Sequence, residues 1–207
     1  MIFLMGGEYE KCMAGEVFDG SAPDVYAITL RTKRLLRQLN DCDFDDKEGK
    51  RQILEKLFGS IGEDVHVDID FHCEYGINIH VGSRVIINMN CTFVDNNRID
   101  IGDGVLIASD VHIYTAEHAT KVAERMKSDW VKGHSFCRTS SRPVKIEDYV
   151  WIGGGVTILP GVTIGKRSVI GAGSVVCRSI PADCVAVGNP CRVIKTIDNG
   201  QAPAEMG

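Results

Sequence analysis

Of the six histidines in the chain, His118 stands where an imidazole could be put to use. Imidazole is the side chain whose ordinary pKa lets it take up and return a proton near neutral pH, so it is the economical base for a weakly acidic hydroxyl. His118 opens a polar, charged interval from Thr115 to Pro143, T-A-E-H-A-T-K-V-A-E-R-M-K-S-D-W-V-K-G-H-S-F-C-R-T-S-S-R-P, that interrupts a regular apolar pattern on both sides. Long excursions from a regular architecture are usually functional or mobile. His66, His72, His80, His112 and His134 have no such setting. A lone histidine is still more often structural or exposed, so its type and position leave both readings open.

The other reactive side chains point less far. The eight cysteines, Cys12, Cys42, Cys73, Cys91, Cys137, Cys177, Cys184 and Cys191, form no C-x-x-C pair. Cys73, Cys91 and Cys184 alternate with apolar residues, so small buried thiols in a reducing compartment are expected, with no metal. Arg178, Arg192 and Lys195 form a late basic cluster suited to phosphate groups or, equally, to a solvated face; Lys166 is a weaker member.

These residues must be positioned by the pattern between Val144 and Val176. An aliphatic residue returns every six positions at Ile146, Ile152, Ile158, Ile164, Ile170 and Val176, and Val150, Val156, Val162, Ser168 and Ser174 fill the place four further on. This is neither helical nor simple strand periodicity. If each hexapeptide is a short strand and a turn, three close one triangular coil, and stacked coils bury an aliphatic column. Gly153, Gly165 and Gly171, each directly after the aliphatic residue, suit corners that a side chain would crowd. A phosphate-cradling glycine loop would lack the regular isoleucines.

The repeat starts earlier and less evenly, at Ile61, Val67, Cys73 and Ile79. It shifts by two to Val81, Ile87 and Phe93, and again to Ile101, Ile107 and Ile113; each shift lets a corner absorb extra residues. Residues 1–59 have a different texture. Ser21, Pro23 and Asp24 start a helix carrying Ile28, Leu35, Leu36 and Leu39; Asp45 and Asp46 start a second carrying Ile53, Leu54, Leu57 and Phe58, with Gly59 as its stop. This hairpin is too small to stand alone and should pack on one end or side of the solenoid. The expected layout is a helical segment 1–59, a solenoid 60–197 with the excursion 115–143, and a disordered tail 198–207.

Composition bounds the partners. A net charge of −5 and a pI near 5.7 give no reason to expect nucleic-acid binding, and 44% hydrophobic residues with only 7% aromatic suit a narrow Ile/Val column. The opening M-I-F-L-M lacks a basic flank and stops at Gly6, short of a signal peptide or membrane span, so a cytoplasmic protein is expected.

M-A-G-E at Met13–Glu16, the helical hairpin, C-E-Y-G-I-N-I-H-V-G at Cys73–Gly82, H-I-Y-T-A-E-H at His112–His118, V-W-I-G-G at Val150–Gly154 and G-N-P-C-R-V-I-K at Gly188–Lys195 together resemble the maltose and galactoside O-acetyltransferases, from about Cys12 to Lys195. The resemblance implies a mainly β fold, a left-handed parallel β-helix; the spacing gives the solenoid and not its hand. It also implies a homotrimer with acetyl-CoA between neighbouring subunits, and direct transfer of acetyl to a sugar hydroxyl.

Such a transfer needs a base, a donor for the oxyanion and a groove for a long anionic cosubstrate. By the resemblance His118 is the base and the amide of Gly154 the oxyanion donor. Glu74, Asn88 and Asp95 line the acceptor pocket; without the family, Asn88 and Asp95 read equally well as turn residues. Trp151 packs on the acyl end or else in the core. Ala172 and Cys177 border pantetheine, and Arg178, Arg192, Lys195 and Lys166 meet the phosphates. Two acceptor contacts of the galactoside pattern, an acid and an arginine, fall here on Gly20 and Thr29, with Asp19 and Arg31 nearby; the excursion is also longer than in that type. Rival readings are a non-sugar acceptor such as serine or an antibiotic, a non-catalytic scaffold, and a metal lyase like the gamma carbonic anhydrases. His112 and His118, one hexapeptide apart, should fall on successive faces of a coil, which disfavours a shared metal.

Overall fold

The computed structural model describes residues 7–198; the readings of the opening pentapeptide and of the tail beyond Asp198 lie outside them. Three parallel sheets form the sides of a triangular solenoid. The first face stacks Ser60–Ile61, Ile79–Val81, Ile99–Ile101, Val144–Ile146 and Thr163–Ile164. On the second lie His66–Val67, Ile86–Ile87, Leu106–Ile107, Trp151–Ile152, Val169–Ile170 and Cys184–Val187. The third holds His72–Cys73, Thr92–Val94, His112–Tyr114, Thr157–Ile158 and Val175–Val176.

Register explains the uneven early repeat. Ile61 pairs with Val81 and Val81 with Ile101, whereas Ile146 pairs with Ile164, so early coils are two residues longer than late ones. The extra pair lengthens the first-face strand, and both Ile79 and Val81 turn inward as alternate residues of it. From Val67 to Val176 the aliphatic positions are 0–4% exposed, as are the residues four on from Val150 to Ser174. The hydroxyls of buried Ser168 and Ser174 donate to Pro181 O (2.8 Å) and Gly171 O (2.5 Å), which makes polar residues tolerable in the column.

The corner glycines have a different cause from the one the spacing suggests. The left-handed corner residue sits three places after the aliphatic one, at Tyr149 (φ 59°), Gly155 (67°), Gly161 (81°), Arg167 (59°) and Gly173 (70°). Gly153 and Gly165 are instead pressed by the next coil: a Cβ would lie 2.6 Å from Ala172 N and 2.4 Å from Ala182 N. The last strand, Arg192–Thr196, follows no hexapeptide spacing and returns antiparallel along Cys184–Val187.

Three helices precede the solenoid: α1 (Glu8–Met13), α2 (Pro23–Asn40) and α3 (Lys47–Leu57). The α2 residues Val25, Ile28, Thr32, Leu36 and Leu39 are buried at helical spacing, and Asp46 caps α3 by accepting from Gly49 N at 2.8 Å. Leu36, Leu39, Leu54, Leu57 and Phe58 continue the column beneath Val67, Phe71 and Cys73, so the hairpin plugs the open end of the first coil. The unforeseen α1 contributes Tyr9 and Cys12 to a second core with Phe18, Val25, Ile28 and Tyr75.

Where the third face turns into the first, a buried polar knot ties α1 to the root of the excursion. Asn97 Nδ2 donates to Cys12 O (3.1 Å) and Ser141 Oγ (3.0 Å), Ser141 Oγ donates to Cys12 O (2.6 Å), and Asn97 N donates to Thr115 Oγ1 (2.8 Å). Asp95 sits in the same knot, its Oδ1 accepting from Glu74 N (2.9 Å) and Tyr75 N (2.8 Å) while buried Oδ2 has no partner among the described residues. Burial pushes the Asp95 carboxyl up from 3.8 to about 7, against the pull of those amides.

Two outcomes follow for stability. Ile107→Ala, at a fully buried position, should lower the unfolding free energy by about 2–5 kcal/mol in a denaturant titration. Because folded Asp95 keeps its proton where the unfolded chain has lost it, its contribution to stability should fall as pH rises from about 4 to about 7, by up to about 4 kcal/mol, and Asp95→Asn should flatten that slope.

Candidate active site

The excursion leaves the column after His112–Tyr114 on a two-stranded antiparallel root, in which Ala116 pairs with Ser141 and Glu117 with Ser140. His118 follows at once, exposed, with Nδ1 2.8 Å from Arg138 O on the returning limb. A carbonyl oxygen can only accept, so Nδ1 carries the hydrogen and Nε2 of the neutral ring keeps its lone pair. His118 therefore lies off the column and not on the face after His112, as the hexapeptide spacing had suggested. His112 stays on the third face, stacked on Tyr114 at 6.3 Å.

The other anticipated residues divide among the three edges of the prism. Glu74, Asp95, Cys177 and Arg178 share the third–first edge with the root of His118, each following a third-face strand. Gly154 and Ala172 stand in register on the second–third edge, with Asn88 on the same edge one place earlier in its coil and Trp151 just before the edge. Lys166 is on the first–second edge, where its N–H donates to Glu147 Oε2 (3.1 Å), apart from both groups. Arg192 and Lys195 are exposed on the final strand, paired with Val187 and Val185. The third face, roughly 15 Å wide at about 3.3 Å per residue, lies between Gly154 and the root from which His118 projects. One chain does not bring them together.

Each edge has a distinctive feature. Gly153 N and Gly155 N donate to Ile170 O (2.8 Å) and Ser109 O (3.0 Å), but Gly154 N has no acceptor among the described residues. A Cβ on Gly154 would meet nothing closer than Ser109 O at 3.4 Å, so the chain's own packing does not demand glycine there. Pro160, before left-handed Gly161, fills the equivalent corner in the next hexapeptide. Trp151 is 54% exposed, not a core residue, and stands between its register partners Leu106 and Val169 in an outward apolar column that reaches back to Ile86. Asn88 Nδ2 donates to Ile107 O (2.8 Å), so like Asp95 it also does structural work between coils. Glu74 lies 3.7 Å from Lys33 Nζ.

The N-terminal departures are resolved unequally. Thr29 Oγ1 donates back to Val25 O (3.3 Å), and the Arg31 guanidinium donates to Lys56 O, fastening α2 to α3. Asp19 instead faces the excursion: it accepts from Ser21 Oγ (2.6 Å), Ser21 N (2.9 Å) and Ser135 N (3.3 Å), with Lys127 Nζ 3.7 Å away. Partial burial works against its charge, but these hydrogen bonds and Lys127 outweigh it and hold the carboxyl down at about 2. Sequence reasoning noted Asp19 but missed Ser135, Lys127 and Arg138, because nothing in the spacing reveals how a long non-repeating loop folds back.

Comparison with known proteins agrees with this architecture. Residues 143–178 match the family described as bacterial transferase hexapeptide (six repeats), and residues 11–62 the maltose acetyltransferase hexapeptide capping motif. The galactoside O-acetyltransferase of Escherichia coli (strain K12) is 37% identical over 92% of this chain and 89% of its own length. A maltose O-acetyltransferase structure from Clostridium difficile 630 superposes with a TM-score of 0.86 at 44% identity, covering 93% of this chain and 98% of that one. A hexapeptide-repeat acetyltransferase from Vibrio cholerae, complexed with acetyl coenzyme A, gives 0.82 at 38% identity, covering 93% and 99%. With its six-turn solenoid a left-handed parallel β-helix and its helical hairpin the family's capping motif, the chain belongs to the hexapeptide-repeat acetyltransferases of the maltose and galactoside type.

Proposed function

We propose that this protein transfers acetyl from acetyl-CoA to a hydroxyl of a sugar or glycoside, directly and without an acetyl-enzyme. The observation that carries the reading is the contact of His118 Nδ1 with Arg138 O, which leaves Nε2 free as the base. Nε2 takes the hydroxyl proton as the acceptor oxygen attacks the thioester carbon. The uncommitted Gly154 N–H donates to the oxyanion, and as the C–S bond breaks the imidazolium returns the proton to the departing CoA sulfur. Cys177 is exposed but lies near no base in the sequence pattern, so it borders the cosubstrate and does not attack it.

In this reading the pieces meet between copies. His118, Glu74 and Asp95 come from the third–first edge of one chain; Gly154, Ala172 and Asn88 come from the second–third edge of its neighbour, in a homotrimer. The exposed column of Ile86, Leu106 and Trp151 supports the association, being an apolar surface that a partner would cover. Trp151 then bounds the acyl end. Arg178, Arg192 and Lys195, exposed and in no ion pair with a carboxylate among the described residues, suit the phosphates of CoA, with Lys166 the outermost contact. We place the enzyme in the cytoplasm, where its eight free thiols persist; no helix among the described residues is long and apolar enough to cross a membrane.

Thiol release from acetyl-CoA over maltose, glucosides, galactosides, serine and chloramphenicol tests the reading. Turnover should appear with a sugar, and His118→Ala should lower kcat about 10²–10⁴-fold with the KM for acetyl-CoA little changed. Activity confined to serine or chloramphenicol would overturn the sugar assignment, and an undiminished His118→Ala enzyme the base. Light scattering should give three times the 22.7 kDa chain mass, and Arg192→Ala with Lys195→Ala should raise the KM for acetyl-CoA about tenfold by removing phosphate contacts.

A further inference from the structure

The excursion is more than a spacer. Between α4 (Val122–Arg125) and the returning limb it folds over the segment at Val17–Asp19, leaving an open cleft of about 380 Å³ lined by Asp19, Lys127, Asp129, Trp130, His134 and Arg138. Trp130 is 48% exposed, yet its indole N–H is spent on His134 O at 2.7 Å. That bond fixes the ring's orientation and leaves its apolar face as the part a ligand can use. Asp19 is anchored as described, with Oδ2 facing only Lys127 and His134 at 3.7 and 3.4 Å, beyond close hydrogen bonding. Apart from His134, the lining sets two carboxylates against one lysine and one arginine, so these formal charges balance and select no strongly charged ligand.

One residue links the cleft to the candidate base. Arg138 is common to both: its carbonyl holds the His118 ring, and its side chain lines the cleft while donating to Met126 O at 2.7 Å. We propose that this cleft binds the acceptor's ring, a neutral pyranoside whose C–H face lies on Trp130 and whose hydroxyls are read by Asp19 and Asp129. A pyranoside offers this combination of one apolar face and a rim of donors and acceptors, which carboxylates and a cation can satisfy. Trp130 and Asp129 are then specificity-determining residues supplied by the lengthened loop. The proposal rests on the sugar-acetyltransferase reading for its consequence in turnover, and on binding alone for its occupancy.

The test separates the two. The chain has two tryptophans, so a ¹⁵N spectrum carries two indole signals, and Trp130→Phe identifies which belongs to Trp130. Titration with methyl pyranosides and maltose should shift the Trp130 signal saturably, and Trp130→Ala should raise the acceptor KM about tenfold with the KM for acetyl-CoA unchanged, Trp130→Phe lying between. Sugar turnover with no shift of that signal and an unchanged KM in Trp130→Ala overturns the cleft and spares the function. A saturable shift without sugar turnover upholds the cleft and overturns sugar acetylation, whereas neither shift nor turnover overturns both.

Discussion

Everything in this molecule depends on the inward aliphatic column being stackable. A backbone ladder between parallel coils forms only if successive coils agree in length face by face, and the column is dry only if the same positions turn inward each time. Meeting both conditions fixes the outward residues as firmly as the inward ones. Trp151 stands over Leu106 because Ile152 stands over Ile107. Coil-length changes are therefore confined to places where the ladder survives them: two residues in a first-face strand, or a whole excursion leaving by a paired root.

That rigidity also keeps chemical groups apart. A triangular prism holds residues on different edges of the column at a fixed separation, so groups seated on two edges cannot approach by flexing. Association offers what flexibility does not, since neighbouring copies can lay unlike edges together, and the exposed apolar column on the second face is a surface such packing would cover. The knot of Cys12, Asn97, Thr115 and Ser141 has a corresponding role within one chain: it fixes the root from which His118 projects.

How much was legible follows the same division. The late coils, the helical hairpin and the buried thiols Cys73, Cys91 and Cys184 could be read because each is a local period expressed many times. Gly153 and Gly165 were recognised as necessary but for an incomplete reason, since the crowding comes from the next coil, which a linear spacing does not display. Helix α1, the terminal antiparallel strand and the partners of Asp19 were not legible; each depends on long-range contacts that occur once in the chain, with no repetition to reveal them. For the same reason, His118 could be singled out by its position while the carbonyl that orients it could not.

The central claim is that His118 and Gly154 act together from different chains. Its most direct test mixes two inactive variants, His118→Ala and Gly154→Pro. The second removes the amide hydrogen at a corner where Pro160–Gly161 shows the same fold accepts proline, and it breaks no ladder bond among the described residues. If the site is shared, random mixed trimers should recover activity to about one quarter of the unmodified enzyme, since each mixed trimer keeps one intact pair. Absence of recovery in trimers shown by mass to contain both variants would contradict the account and return the site to a single chain.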